Sequence, residues 1–198
     1  MDKIEALPDS PIVLGGLISN EFLKIEINTF LEACSFVHKM PYGYNSARDD
    51  LMILFKENKG TCTTKHAVIG TLAAELGLTI YKTIGIYAMT ETIVTGTEEI
   101  LHNYDLPFVP MVHCYLAHDG VRVDLTEGND NGKNRSIETF LYTQRVQSNI
   151  SAKNEYLLYR NALKELLVAH EDLAGIEMKA ILHAREEGLK LLKSKINY

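Results

Sequence analysis

Residues 19–41 carry apolar side chains at the spacing of a helix. Ser19 and Asn20 can cap a helix, and from there apolar residues recur at roughly helical intervals until Pro41. The positions that predict this first helix are Phe22, Ile25, Phe30, Leu31, Cys34 and Val37.

Two further helices are predicted before residue 78. One covers about 48–57 and ends at the polar residues 58–60. The other begins near Cys62 and ends before Gly77, because glycine suits the left-handed conformation that often follows a helix. Its apolar stripe lies on one helical face and consists of Ile69, Leu72, Ala73 and Leu76.

The middle of the chain has the composition of β-strands. Residues 78–89 are rich in β-branched and aromatic side chains. The apolar segments 109–118 and 121–126 flank Asp119-Gly120, a strong signal for a two-residue hairpin turn. Such a turn pairs residue 118 with residue 121 and thereby fixes the register of both strands.

The remaining segments complete an α+β fold. A short helix is predicted over 97–103, and a polar loop covers 128–134. From residue 151 onward, leucine, isoleucine and tyrosine at helical spacing predict a helical pair. We therefore expect one domain over 1–198, with N-terminal helices in 1–59, a core in 60–150 and a C-terminal helical extension in 151–198.

Composition narrows the classes of protein. The 198 residues are 46% hydrophobic and 23% charged, as in ordinary globular proteins. The net charge of −6 disfavours binding to nucleic acid, and three cysteines do not indicate a disulfide framework. The apolar run 12–18 is too short to span a bilayer and lacks the basic flank of a secretory signal. We expect a cytoplasmic protein with neither a nucleic-acid nor a membrane partner.

Cys62 is the first candidate for chemistry, since it lies in the predicted first turn of a helix. Unpaired backbone N–H groups and the positive end of the helix dipole favour the thiolate there, and the thiolate is the nucleophilic form. The same position also suits a small buried cysteine without a reactive role, because free cysteines are among the most buried residues.

His113 and Asp124 are the next candidates. With a two-residue turn they share one face of the sheet with Tyr115, and Asp124 is diagonal to His113. An aspartate there can accept a hydrogen bond from one ring nitrogen and direct the other nitrogen toward a thiol. A three-residue turn would place Asp124 on the opposite face. Taken singly, His113 also fits a core histidine and Asp124 a turn residue.

Together these residues resemble the transglutaminase-like superfamily of papain-related cysteine enzymes. The motifs that carry the resemblance lie within 60–126, about a third of the chain, and are Gly60-Thr61-Cys62 before an apolar helix, His113-Cys114-Tyr115 in a strand and Asp124-Leu125-Thr126 in the next. Their spacings are also similar to that family. Tyr115 stands where the family often has Trp, and Leu125 where it often has Pro, which leaves subfamily and substrate open.

The resemblance implies a papain-like core in which a central helix bearing the cysteine packs on a small antiparallel sheet. It also implies a cysteine hydrolase or acyltransferase with a Cys62–His113–Asp124 triad, a thioester intermediate and no cofactor. The substrate would be an amide-type bond in a peptide, a protein or a small molecule, and the oligomeric state stays open. The backbone N–H of Cys62 and a side-chain donor from 41–45 would form the oxyanion hole. Tyr42, Tyr44 and Asn45 remain alternatives for that donor, as does a turn that only ends the preceding helix.

Lys65 and His66 lie within one turn of Cys62 and, with Tyr115, are candidates for the substrate cleft. Lys65 would either favour the thiolate through its charge or face solvent. His66 is a rival base for Cys62. However, a neighbour four residues along the same helix points alongside the cysteine, and nothing in the sequence orients its ring, so His113 is the expected base.

Two alternatives assign these residues to other roles. The pairs Cys34/His38 and Cys62/His66 have a spacing that can place two zinc ligands on one helix face. The chain lacks the CxxC knuckles of structural zinc sites, so we expect no metal. The second alternative is a non-catalytic interaction module that keeps the fold, in which the apolar face of the helices over 154–197 packs on the core or binds a partner.

Overall fold

The N-terminal third of the chain forms four α-helices. The computed structural model describes residues 3–196, and these helices are α1 (Leu17–Lys24), α2 (Phe30–Lys39), α3 (Ile53–Glu57) and α4 (Cys62–Glu75). The prediction of one helix up to Pro41 is wrong, because the backbone turns at Glu26, which has a φ of 61°. Thr29 then caps α2, since its hydroxyl accepts from Glu32 N–H while the Glu32 carboxylate accepts from Thr29 N–H.

The second predicted helix is shorter than expected. Residues 48–52 form turns, and α3 begins only at Ile53. The Asp50 carboxylate accepts from Met52 N–H at 2.9 Å, a local bond that competes with helix formation. Asn58, with a φ of 51°, ends α3 as the sequence predicts.

The third predicted helix is confirmed over Cys62–Glu75 as α4. Its burial differs from the predicted single stripe, because residues 62–70 are all buried. Contacts with α1, α2 and α3 cover much of its surface. Thr63 turns toward the sheet, where its carbonyl accepts from Lys82 Nζ at 3.0 Å. The first two turns of α4 are therefore enclosed on all sides.

The sheet is antiparallel, with strand order β3-β2-β1-β4. Its strands are β1 (Tyr81–Met89), β2 (Val109–His118), β3 (Val121–Val123) and β4 (Tyr142–Arg145). The hairpin register is confirmed, since His118 pairs with Val121 and the turn residues Asp119 and Gly120 have φ values of 43° and 77°. β3 ends at Val123, three residues before the predicted end, because a turn begins at Asp124. The polar β4 was not predicted.

The chain divides into two compact units. The first contains residues up to 84 with 114–129 and 145–151, and the second contains 85–113, 130–144 and the residues from 152 on. The core of the first unit includes Phe22, whose ring meets the rings of Phe36 and Phe55 edge-on. The predicted single domain over 1–198 stays a prediction.

The second unit contains the predicted short helix and the predicted C-terminal pair. These helices are α5 (Thr97–Tyr104), α6 (Ala152–Ala169) and α7 (Met178–Ser194). Tyr159 of α6 is fully buried and its hydroxyl donates to Pro110 O at 2.8 Å. The α+β class is thereby confirmed. Within residues 3–196, no helix combines the length and apolar character needed to cross a bilayer.

Candidate functional site

Cys62 is the first residue of α4 and is 8% exposed. Thr61 precedes the helix in an extended conformation, and its N–H donates to the Thr64 hydroxyl at 3.0 Å. The first turn contains no acidic side chain. The thiol therefore sits at the positive end of a helix dipole in a turn without negative side chains, which favours the thiolate.

The segment predicted to supply an oxyanion donor lies beside the residue that precedes this turn. Tyr42 forms a β-bridge with Gly60, Gly43 N–H donates to Gly60 O, and Gly60 N–H donates to Pro41 O, each bond at 3.2 Å. Tyr42 and Tyr44 are half-buried. The structure thus brings 41–45 next to the start of α4.

Asn45, one of the three candidates for the oxyanion donor, is held in place by hydrogen bonds to three other residues. Its Nδ2 donates to Glu57 Oε2 and to Lys59 O, both at 2.9 Å, while its Oδ1 accepts from the Thr64 hydroxyl at 2.8 Å. Hydrogen bonds from Ser46 and Asn45 also lower the pKa of Glu57. Both N–H donors of Asn45 are therefore engaged by Glu57 and Lys59.

Lys65 does not face solvent. It is fully buried, and its Nζ donates to His38 O at 3.2 Å, Met40 O at 2.6 Å and Asn129 Oδ1 at 2.6 Å. Burial lowers the pKa of the Lys65 ammonium to about 8, while the Asp124 carboxylate opposes this shift. Lys65 therefore holds the end of α2 and the loop at Asn129 against α4.

The ring of His66 is oriented by backbone groups that the sequence did not reveal. Its Nε2 accepts from Leu125 N–H at 2.8 Å, so Nδ1 carries the proton and donates to Cys62 O at 2.6 Å. The ring is fully buried. Since both nitrogens are engaged by backbone groups, His66 fits a structural role better than the role of a base for Cys62.

Asp124 lies directly after β3, beside the first turns of α4. Its Oδ1 accepts from the backbone N–H and the hydroxyl of Thr126, both at 2.8 Å. The same oxygen lies 3.6 Å from His66 Nε2. That nitrogen already accepts from Leu125, so the contact is between a carboxylate and a neutral ring. The structure thus places Asp124 next to His66, which lies one helical turn beyond Cys62.

His113 and Tyr115 are both buried in β2, at 2% and 8% exposure. The His113 ring lies edge-on to the Tyr87 ring, with 6.4 Å between centroids. Burial raises the pKa of Tyr115, and the Arg122 guanidinium lies 5.7 Å from its ring centre. Cys114 lies between His113 and Tyr115 in the sequence. Its Sγ lies 3.8 Å from the hydroxyl of Thr63, the residue after Cys62.

The residues of the zinc alternative have other contacts. His66 is bound to backbone groups on both nitrogens, and His38 Nδ1 lies 3.2 Å from Leu125 O. Burial raises the pKa of the Cys34 thiol, which disfavours the thiolate that zinc requires. Among residues 3–196, no group of three or more His, Cys, Asp or Glu side chains is arranged to hold a metal ion.

Two polar residues that bind distant backbone groups, the half-buried Asn129 and the buried Lys82, were missed by sequence reasoning. Asn129, which binds Lys65 and donates to His38 O at 2.9 Å, lies in a segment that reads only as a polar loop. Lys82 is 1% exposed and is the single cation within the apolar segment that became β1. This single lysine in an apolar segment was the sequence signal for a buried cation.

Comparisons with protein-family models, curated proteins and solved structures found no match for this chain.

Proposed function

We propose that the protein is a cysteine-dependent hydrolase or acyltransferase with a transglutaminase-like, papain-related core that acts on an amide-type bond. Cys62 is the nucleophile, His113 the general acid and base, and Asp124 the residue that orients His113. The proposal depends above all on the first turn of α4. Cys62 opens a helix whose first turns are buried, and Asp124 lies at those turns at the end of a hairpin in the required register.

The proposed reaction moves one proton through His113 at each step. His113 takes the proton of the Cys62 thiol, and the thiolate adds to the carbonyl carbon. The imidazolium gives its proton to the leaving nitrogen, the C–N bond breaks, and a thioester and a free amine result. Water or a second amine then attacks the thioester. His113 takes the attacker's proton and passes it to the departing sulfur.

Asp124 receives the orienting role because Thr126 already fixes its carboxylate. Two hydrogen bonds from Thr126 hold Oδ1, and the proposal assigns Oδ2 to the ring of His113. A carboxylate in that position selects one tautomer and stabilises the imidazolium. The proposal includes a peptide, protein or small-molecule amide as substrate, a cytoplasmic location, and no cofactor.

Thiol labelling tests the activated nucleophile. We expect iodoacetamide near neutral pH to alkylate Cys62 about tenfold or more faster than Cys34 and Cys114, because only Cys62 lies at a helix start. Peptide mapping by mass spectrometry measures the three rates. His113→Ala should slow the labelling of Cys62, whereas His102→Ala, on an exposed position of α5, is the matched control.

Two results would decide against the enzyme. Equal alkylation rates at the three cysteines would show that Cys62 is not an activated thiol. Normal labelling without any covalent adduct on Cys62, after exposure of the intact protein to a library of activated acyl donors, would favour the non-catalytic module. Cys62→Ser is the blank for both measurements.

A further inference from the structure

The segment that follows β3 is held by two histidine rings at Leu125. Its N–H donates to His66 Nε2 at 2.8 Å, and its carbonyl oxygen lies 3.2 Å from His38 Nδ1. β3 ends at Val123, so Leu125 lies beyond the β2–β3 ladder. Leu125 is fully buried, and a buried backbone group without a partner costs free energy. Side chains of α2 and α4 thus bind the backbone groups that a strand would bind inside a sheet.

The second hydrogen bond of the His66 ring reaches the start of α4. Its Nδ1 donates to Cys62 O at 2.6 Å. One buried ring therefore joins the backbone of Cys62 to the backbone of Leu125, and we call this pair of hydrogen bonds the His66 bridge. All three residues belong to the first unit. Because an imidazole ring is rigid, the His66 bridge fixes the separation of the two backbone groups.

Each end of the His66 bridge holds a peptide group next to a residue of the proposed triad. The carbonyl of Cys62 lies in one plane with the Cα of Cys62, because the peptide group is planar. The N–H of Leu125 belongs to the peptide group that begins at the Cα of Asp124, and it lies in one plane with that atom. A ring bound to both peptide groups therefore restricts the points from which the Cys62 and Asp124 side chains start.

The carboxylate of Asp124 is bound within its own turn. Its Oδ1 accepts from the N–H and the hydroxyl of Thr126, both at 2.8 Å, and lies 3.6 Å from His66 Nε2. The bonds from Thr126 fix the carboxylate relative to residues 124–126. The bond from Leu125 N–H to His66 then places this turn against the first turns of α4.

We infer that His66 is a positioning residue of the proposed active site, whose ring fixes Asp124 relative to Cys62 through the His66 bridge. The inference rests on the proposed function, because it assigns His66 a part in that reaction. The ring takes no proton during the reaction, since Nε2 accepts from Leu125 N–H and Nδ1 already carries a hydrogen. A displacement of about 1 Å can slow a reaction about 10²-fold. Loss of the His66 bridge should therefore slow the chemistry of Cys62 in protein that is still folded.

Two substitutions separate the two hydrogen bonds of the His66 bridge. The amide of glutamine reaches about as far from Cβ as Nε2 does, so His66→Gln can still accept from Leu125 N–H. The amide of asparagine reaches about as far as Nδ1, so His66→Asn can still donate to Cys62 O but removes the acceptor of Leu125 N–H. Ile69→Val shortens another fully buried side chain of α4 and is the matched control.

Alkylation of Cys62 by iodoacetamide near neutral pH, followed by peptide mapping, measures the thiol in each variant. Circular dichroism at the labelling temperature checks the fold, and amide hydrogen exchange by NMR reports on the bond at Leu125. We expect His66→Asn to slow the labelling about tenfold, because a displaced Asp124 orients the base of the proposed triad less well. Exchange of the Leu125 amide should become about tenfold faster.

His66→Gln should restore both rates toward wild type, and Ile69→Val should change neither. A role of His66 in stability alone would lower the free energy of unfolding of His66→Asn without changing the labelling of folded protein. Fast labelling of Cys62 in folded His66→Asn would therefore overturn the inference. Slowing of the same size in Ile69→Val would also overturn it, because general loosening of α4 would then be the cause.

If His66→Asn does not fold, His66→Gln decides alone, because its labelling rate must follow the exchange of the Leu125 amide. Fast labelling with a freely exchanging amide, or slow labelling with a protected one, would overturn the inference. Equal alkylation of the three cysteines in wild type would overturn the proposed function together with this inference. The other results overturn the inference alone, so the two failures are distinguishable.

Discussion

At the level of single residues, the first turns of α4 concentrate buried polar groups around Cys62. Lys65, His66 and Thr64 are each at most 3% exposed, and each has hydrogen-bond partners outside the helix. Buried polar groups cost free energy unless they are hydrogen-bonded, so these bonds fix the positions of the segments that they join. The surroundings of Cys62 are therefore rigidly determined.

Asp124→Asn separates the orienting carboxylate from the fold. The amide oxygen can still accept from Thr126, so the free energy of unfolding should change little, whereas the negative charge that the proposal assigns to orienting His113 is lost. We expect turnover of an acyl donor identified on Cys62 to fall about 10²–10⁴-fold. Asp119→Asn, whose side chain is 83% exposed in the same hairpin, is the control. Unchanged turnover in Asp124→Asn would remove Asp124 from the mechanism.

Lys65 predicts a dependence of stability on pH. Its pKa is about 8 in the folded protein against an ordinary 10.5, so between these values the unfolded chain binds the proton that the folded chain has released. The free energy of unfolding should therefore rise with pH across this window. Relative to Lys65→Met, wild type should gain on the order of 2 kcal/mol between pH 7 and about 9.5 in urea titrations.

The control for this measurement is Lys153→Met, at an exposed position of α6. If the difference in the free energy of unfolding between wild type and Lys65→Met stays constant over the pH range, the pH dependence does not come from Lys65. An equal gain of wild type relative to Lys153→Met would attribute the effect to net charge instead of to Lys65.

At the level of elements, the β2–β3 hairpin determines where Asp124 lies. Asp119-Gly120 was readable as a turn because few residue pairs tolerate positive φ at both central positions. By contrast, the break between α1 and α2 was missed, since apolar spacing continues across it from Phe22 to Phe30 and Glu26 does not signal a left-handed conformation. The Thr29–Glu32 capping box was the readable sign of the second start.

Gly120→Val tests the hairpin as an element. Gly120 has a φ of 77°, which a β-branched residue adopts only with strain, so we expect a loss of about 1–3 kcal/mol in the free energy of unfolding. Asp119→Asn should be nearly neutral, because asparagine tolerates its φ of 43°. Urea denaturation compares the two, and equal stabilities would contradict the turn assignment.

At the level of the whole molecule, two compact units each contain their own core, and the acidic surplus of the sequence is a property of the full chain. Local charge departs from this average, because the first unit buries two cations, Lys65 and Lys82. The net charge of the sequence therefore bears on binding to a phosphate backbone, but it does not give the charge around a single small site.

The net charge of −6 predicts no affinity for nucleic acid. A fluorescein-labelled duplex should show no saturable change in anisotropy with up to about 100 μM protein at about 50 mM salt. A basic DNA-binding protein is the positive control. Saturable binding that weakens steeply with added salt would contradict this prediction.

The sequence by itself determined the α+β class, the extent of α4, the hairpin register and the order of Cys62, His113 and Asp124, because periodicity, capping and turn chemistry act over a few residues. Only the tertiary structure decided the environments of Lys65 and Lys82 and the tautomer of His66. Each of these depends on a partner from a segment distant in sequence, such as Asn129, Leu125 and Ser148. Local patterns along a chain carry no information about which distant backbone group will meet a buried polar atom.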